Sequence, residues 1–280
     1  MPNIWIELGT QRRRGLALAP DPPTGYELAS LHGELLRETG QIDASIAAFE
    51  QALAQAPTEI ERAWAWFGVA RGLEIQDRYS QALDALDQAQ SHAGRNASAD
   101  LLAQIHIQRG NISFPLGRID ECFREHELAL RHARAAASPT LEARALSGLG
   151  DACYQRGRML SAHRHFDQCV ALCRKHGLAS IEAANLVMLG LTRFYQNDLA
   201  GAEREGTAAI ESAARIGNQR DETLAFDVLG VIFSSPRALA RHGRGERTPE
   251  VAATLQALLA QAESASLMAA ATALREAFTG

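Results

Sequence analysis

The chain has 280 residues, 46% hydrophobic and 22% charged, the balance of a folded, soluble protein rather than a disordered one. Its 28 Lys plus Arg against 33 Asp plus Glu give a formal net charge of −5, which excludes a uniformly basic nucleic-acid binder. No run approaches the roughly 20 apolar residues of a membrane span, and the first residues lack the basic-then-apolar order of a secretory leader.

Aromatics are only 6% and alanine and leucine abound, so helices are favoured over strands. In chain order, residues 1–25 read as an N-terminal segment or degenerate leading helix. Arg12, Arg13 and Arg14 lie there on a solvated face or against a phosphate-bearing partner. A regular beat starts at residue 26 and runs to 233. Gly33, Ala70, Gly110, Gly150, Gly190 and Gly230 are spaced 37, 40, 40, 40 and 40 residues apart. Further columns keep the same phase. A turn-forming residue recurs at Gly40, Asp77, Gly117, Gly157 and Asn197, and an apolar one at Ile42, Tyr79, Ile119, Met159 and Leu199. Small residues recur at Ser45, Ala82, Cys122, Ala162 and Ala202, and again at Ala52, Ala89, Ala129, Cys169 and Ala209.

Such a beat predicts a helix, a tight turn, a second helix and a longer link. The first column removes bulk where two helices cross. The second supplies the left-handed residue that ends a helix. Pro57 follows the first hairpin as a proline should follow a helix. Each hairpin carries more apolar surface than it can hide alone, so neighbours must stack. The expected fold is all-α: a right-handed α-solenoid of helix hairpins, about five full repeats plus the first helix of a sixth. Residues 234–249, with Arg237, Arg241, Arg244 and Arg247, read as an irregular linker. Residues 250–280 read as two capping helices that cover the last apolar face, or make a homodimer contact if they cover it incompletely.

Residues 33–53 and 150–170 resemble the tetratricopeptide repeat (TPR) almost column by column, with a period longer than the usual 34 or so. Residues 109–120, 145–158 and 169–177 are similar to the long-repeat TPR tails of bacterial signalling proteins that carry class III adenylate or guanylate cyclase and AAA-type ATPase domains. Neither enzyme domain is present, and there is no GxxxxGK[ST] phosphate loop. The resemblance implies a concave groove, lined by the first helix of each hairpin, that grips a partner's peptide or helix. Its groove positions carry onto Trp64, Phe67 and Arg71, then Gln104, Ile107, Asn111 and Phe114, then Arg144, Ser147, Asp151 and Tyr154, then Val187, Leu191 and Phe194. An aromatic ladder of Phe114, Tyr154 and Phe194 is expected, with Arg71, Asn111, Arg144 and Asp151 as polar fixings; aromatic and Arg anchors dominate binding energy. The chain has a single lysine, Lys175, which departs from TPRs that clamp a C-terminal carboxylate with several lysines.

Reactive groups are densest at His163, His165, Cys169, Cys173 and His176. Four of them share one helix face, but they spread over about 16 Å, too far to share one ion. Cys169 also stands in a small-residue column, where cysteine packs as a small hydrophobe. No catalytic triad or dinucleotide fingerprint can be assembled. The expectation is therefore a non-enzymatic protein-interaction module of bacterial signalling or regulation. It needs no cofactor or metal, has a protein or peptide partner, and touches neither nucleic acid nor membrane. Four cysteines without a framework spacing fit a reducing cytoplasm. The alternative is a regulatory TPR domain that senses a small molecule or peptide; an enzyme hidden in the Cys/His-rich repeat ranks third.

Overall fold

The structure, a computed structural model, describes residues 25–94 and 97–217, together with Ala225, Phe226, Gln256, Ala257 and Ala260. The leading segment, the Arg-rich linker and nearly all of the capping helices lie outside the described residues, as does the homodimer contact expected there. Of the sixth repeat only Ala225 and Phe226 are described, and both are fully buried.

Every element among the described residues is an α-helix. The chain divides into two compact units, residues 1–117 and 118–280. The first holds α1 (Gly25–Glu38), α2 (Ile42–Gln55), α3 (Glu59–Ile75), α4 (Tyr79–Ala93) and α5 (Ala99–Ser113). The second holds α6 (Ile119–Ala135), α7 (Pro139–Gln155), α8 (Met159–His176), α9 (Ala179–Tyr195) and α10 (Leu199–Ile216). Consecutive helices pack within each unit, and so do first helices of neighbouring hairpins: α1 with α3, α3 with α5, and α7 with α9. This is the all-α helical-hairpin array expected from the beat.

Each column of the beat has a physical place. Ile42, Tyr79, Ile119, Met159 and Leu199 are the first residues of the second helices. Gly40, Asp77, Gly117, Gly157 and Asn197 all have positive φ, from 56° to 77°, so the left-handed reading of that column holds even where the residue is not glycine. The small residues at Ser45, Ala82, Cys122, Ala162 and Ala202 are at most 1% exposed. Ala52, Ala89, Ala129, Cys169 and Ala209 are fully buried. At the anchors, a Cβ on Gly150 would stand 2.4 Å from the Phe166 ring, and one on Gly33 would stand 2.8 Å from the Phe49 ring. Only glycine lets those rings lie against the backbone.

Helix ends follow local chemistry. Thr58 and Glu61 form a reciprocal capping box at the start of α3. Ser98 caps α5 by accepting from the Leu101 amide, and Asp198 caps α10 by accepting from the Gly201 amide. Gly177 and Gly217 close α8 and α10 in the left-handed conformation.

In the first unit the core runs from Ile46 and Phe49 through Ala70, Leu73 and Leu86 to Leu101, Ile105 and Ile112. In the second unit Phe166, Val170, Leu186, Leu189, Ile210 and Phe226 form the largest cluster. Cys169 and Cys173 pack with Ala143 and Leu146 in a neighbouring one. All four cysteines are buried free thiols, and burial pushes the Cys122 thiol up to about 11. The Sγ atoms of Cys169 and Cys173 are 4.0 Å apart, and the Cys169 thiol donates to the Ala143 carbonyl. No helix among the described residues is long and apolar enough to cross a membrane.

Candidate partner-binding groove

In each unit the first helices of neighbouring hairpins lie side by side. In the first unit α1 and α3 line a cavity of about 210 Å³, together with Phe49 of α2 and Gln104 of α5. Its wall carries Trp64, Phe67, Gly68 and Arg71 from α3, facing Tyr26, Ser30, Glu34 and Arg37 from α1. Four residues expected in the groove, Trp64, Phe67, Arg71 and Gln104, therefore meet in one cavity.

The local geometry follows from helical spacing. Trp64 and Phe67, one turn apart, meet edge to face at 6.0 Å between ring centroids and 88° between planes. The Arg71 guanidinium carbon stands 5.9 Å from the centre of the Phe67 ring, within cation–π range. Gly68 opens the floor: a Cβ there would stand 2.4 Å from the Phe49 ring. The Ser30 hydroxyl is buried beside the Tyr26 phenol and completes no well-formed hydrogen bond. Burial raises the pKa of that phenol. The cavity thus combines aromatic faces, two guanidinium groups, one carboxylate and a buried hydroxyl.

Sequence reading missed the α1 wall. Its signal was available, because Ser30, Glu34 and Arg37 sit at the same offsets from Gly33 as Phe67, Arg71 and Glu74 do from Ala70.

In the second unit Arg144, Ser147, Asp151 and Tyr154 form a half-buried line along α7. Asp151 makes no hydrogen bond or ion pair with any described residue, and desolvation by burial pushes its carboxyl up to about 6. Tyr154 packs against Tyr195 with ring centroids 6.1 Å apart and planes tilted by 60°. Burial, then a hydrogen bond to the Tyr195 hydroxyl, pushes the Tyr154 phenol up to about 12. Tyr195 is 49% exposed and also meets Phe194 edge to face at 5.7 Å.

Four expected groove residues turn inward. Phe67, Ile107, Val187 and Phe194 are buried, at 6%, 1%, 0% and 9% exposure. Phe67 still borders the cavity, while Val187 and Phe194 belong to the core of the second unit. The reason is the helical period. Along one face of α9, Ala184, Met188 and Leu191 are half-buried and Tyr195 is exposed, a step of four rather than three beyond Leu191. Tyr195 therefore takes the rung beside Tyr154 that was assigned to Phe194. Asn111 is exposed and Phe114 half-buried at the end of α5. Phe114 belongs to the first unit and Tyr154 to the second.

Among the described residues no group of His, Cys, Asp and Glu is arranged to hold a metal ion. Buried His126 lies flat on Gly148, whose Cβ would stand 2.2 Å from its Nε2. Desolvation lowers the His126 pKa to about 4.

Hairpins of this length, with a small residue at each crossing, define a helical-repeat protein. Residues 26–59 and 101–175 match family models described as Tetratricopeptide repeat, so the chain carries tetratricopeptide repeats over these residues. No curated protein sequence matches it. Solved structures share its fold at low identity. The STAND protein with a tetratricopeptide repeat sensor from Pyrococcus horikoshii is 12% identical, with a TM-score of 0.69 over 99% of this chain and 43% of its own. The apo form of RapI is 12% identical, with a TM-score of 0.65 over 91% of this chain and 95% of its own. A Rap protein complexed with Competence and Sporulation Factor is 16% identical, with a TM-score of 0.64 over 91% and 74%.

Proposed function

We propose that the chain is a non-catalytic recognition module that seats an extended segment or helix of a partner protein on the first-helix face of its hairpins. The carrying observation is the cavity in the first unit, where Trp64, Phe67, Arg71 and Gln104 converge opposite Arg37 and Ser30. At about 210 Å³ it falls below the roughly 300–1,000 Å³ of small-molecule sites and suits one partner side chain. Trp64 and Phe67 give contact area; Arg71, Arg37 and Gln104 give direction and register. A cavity of that size favours a partner segment over a free small molecule.

The setting we infer is regulatory and bacterial, in a reducing cytoplasm. The four buried free thiols suit that compartment. Two relatives in fold support a regulatory role, one named a sensor domain and one solved with Competence and Sporulation Factor. The test is selection from a peptide display library on the full chain, repeated on Trp64→Ala. Recovered peptides should share a motif and bind the variant at least tenfold more weakly. Failure to enrich any motif, with saturable binding of a metabolite instead, would transfer the case to the small-molecule reading.

A further inference from the structure

The groove face of the second unit has a different chemistry from the cavity of the first. Along α7 it carries a half-buried carboxylate, Asp151, that no described cation neutralises. Cys122 of α6 and Cys169 of α8 both feel its charge, and both are buried thiols rather than cations. No described arginine offsets the carboxyl, whose pKa rises through desolvation alone. One turn further along α7 stands Tyr154, on the same helix face. Its ring leans on Tyr195 at 6.1 Å, and Tyr195 in turn takes an edge contact from Phe194. The Tyr195 ring is half open to solvent. A carboxylate one helical turn from a pair of tilted aromatic rings is an arrangement that attracts a cation: the carboxylate gives the charge and the rings give their quadrupole.

Resting on the partner-segment reading above, we propose that Asp151, Tyr154 and Tyr195 form a subsite for a basic side chain, arginine or lysine, of the bound partner. The partner's cation pairs with the Asp151 carboxylate while its stem and head pack on the two tyrosine rings. Charge complementarity fixes the choice of occupant. An acidic or apolar side chain at this place would leave the carboxylate desolvated and unpaired, whereas a cation offsets the burial that the free protein tolerates. The subsite thereby adds selection for a positive residue to an aromatic-lined face that would otherwise accept many segments.

The experiment uses the full isotope-labelled chain and two blocked tripeptides, acetyl-Gly-Arg-Gly-amide and its neutral isostere with citrulline in place of arginine. Titrations are followed by NMR at the Asp151 carboxyl carbon and the Tyr195 ring. The arginine peptide should shift both signals saturably and bind at least tenfold more tightly than the citrulline peptide. Asp151→Asn should abolish the difference between the two peptides, and Asp151→Glu should restore part of it. Tyr195→Ser, at an exposed position that leaves the core intact, should weaken the arginine peptide several-fold. Circular dichroism checks that each variant is folded. Equal binding of the two tripeptides, or discrimination that survives Asp151→Asn, overturns the subsite. Library peptides that still shift the Trp64 signal in that case leave the proposed function standing, so the two failures are told apart.

Discussion

The Ser45 hydroxyl donates a 2.7 Å hydrogen bond to the Gly33 carbonyl, twelve residues earlier and on the facing helix of the same hairpin. Two columns of the repeat thus touch: the glycine that lets the helices approach and the small residue that exploits the approach. Alanine fills the Ser45 column at Ala82, Ala162 and Ala202, so Ser45→Ala is sterically accepted and removes only the bond. It should lower stability by about 1 kcal/mol in urea denaturation at constant m-value.

Gly150 and Phe166 test the crossing more severely. The Phe166 ring occupies the space of a Gly150 Cβ. Gly150→Ala should therefore destabilise by about 1–3 kcal/mol through overpacking. Phe166→Leu should lose about 1 kcal/mol or more of packing on its own. Combined, the two changes should cost less than the sum of the singles, because the smaller side chain makes room for the methyl. A double-mutant cycle in urea measures the coupling, and strict additivity would refute the close-approach account.

Ala137, which follows α6, has a φ of 49°, while Gly94, Gly177 and Gly217 follow α4, α8 and α10 with positive φ. A side chain in that region is strained by roughly 1–2 kcal/mol. Ala137→Gly should stabilise the protein by about 1 kcal/mol or somewhat less, since glycine also gains unfolded-state entropy. A rise in the thermal midpoint checks it.

Much of this framework was legible in the sequence because glycine and alanine are read through backbone geometry. A crossing that admits no Cβ, or a turn with positive φ, leaves a mark at one position whatever surrounds it. Asp77 and Asn197 kept the turn column in phase for the same reason. The groove was legible only as a face. Whether a residue on an amphipathic helix points out or in depends on rotations smaller than one residue step, so Val187 and Phe194 were placed outside and Tyr195 was overlooked. The α1 wall and the Phe49 floor depend on which helix lies opposite, which a single hairpin pattern does not state. His126 shows the same limit: its column is filled by Phe49, Leu86 and Phe166 elsewhere, and only packing reveals that the imidazole is buried there.

Asp151 and His126 act on stability in opposite directions over the same pH range. The folded-state pKa of Asp151, about 6, lies above the usual carboxylate value. The folded protein then holds the proton longer, and stability falls as pH rises from about 4 to about 6. The folded-state pKa of His126, about 4, lies below its ordinary 6.5. Stability is then full above pH 6.5 and is lost as pH falls toward 4. Each effect is at most about 3 kcal/mol. The parent profile should be nearly flat between pH 4 and 6.5. Asp151→Asn should be more stable than the parent at pH 7 and should lose stability on acidification. His126→Leu, with the residue its column carries at Leu86, should instead gain stability on acidification. Urea midpoints across pH 4–8 give all three profiles.

Hydrogen–deuterium exchange on the full chain, with and without a peptide selected from the display library, tests the recognition face most directly. The account predicts new protection at the turns of α1 and α3 that carry Ser30, Glu34, Trp64 and Arg71, and no new protection along α2 or α4. Protection confined to the second helices, or saturable binding unchanged by Trp64→Ala, would contradict it.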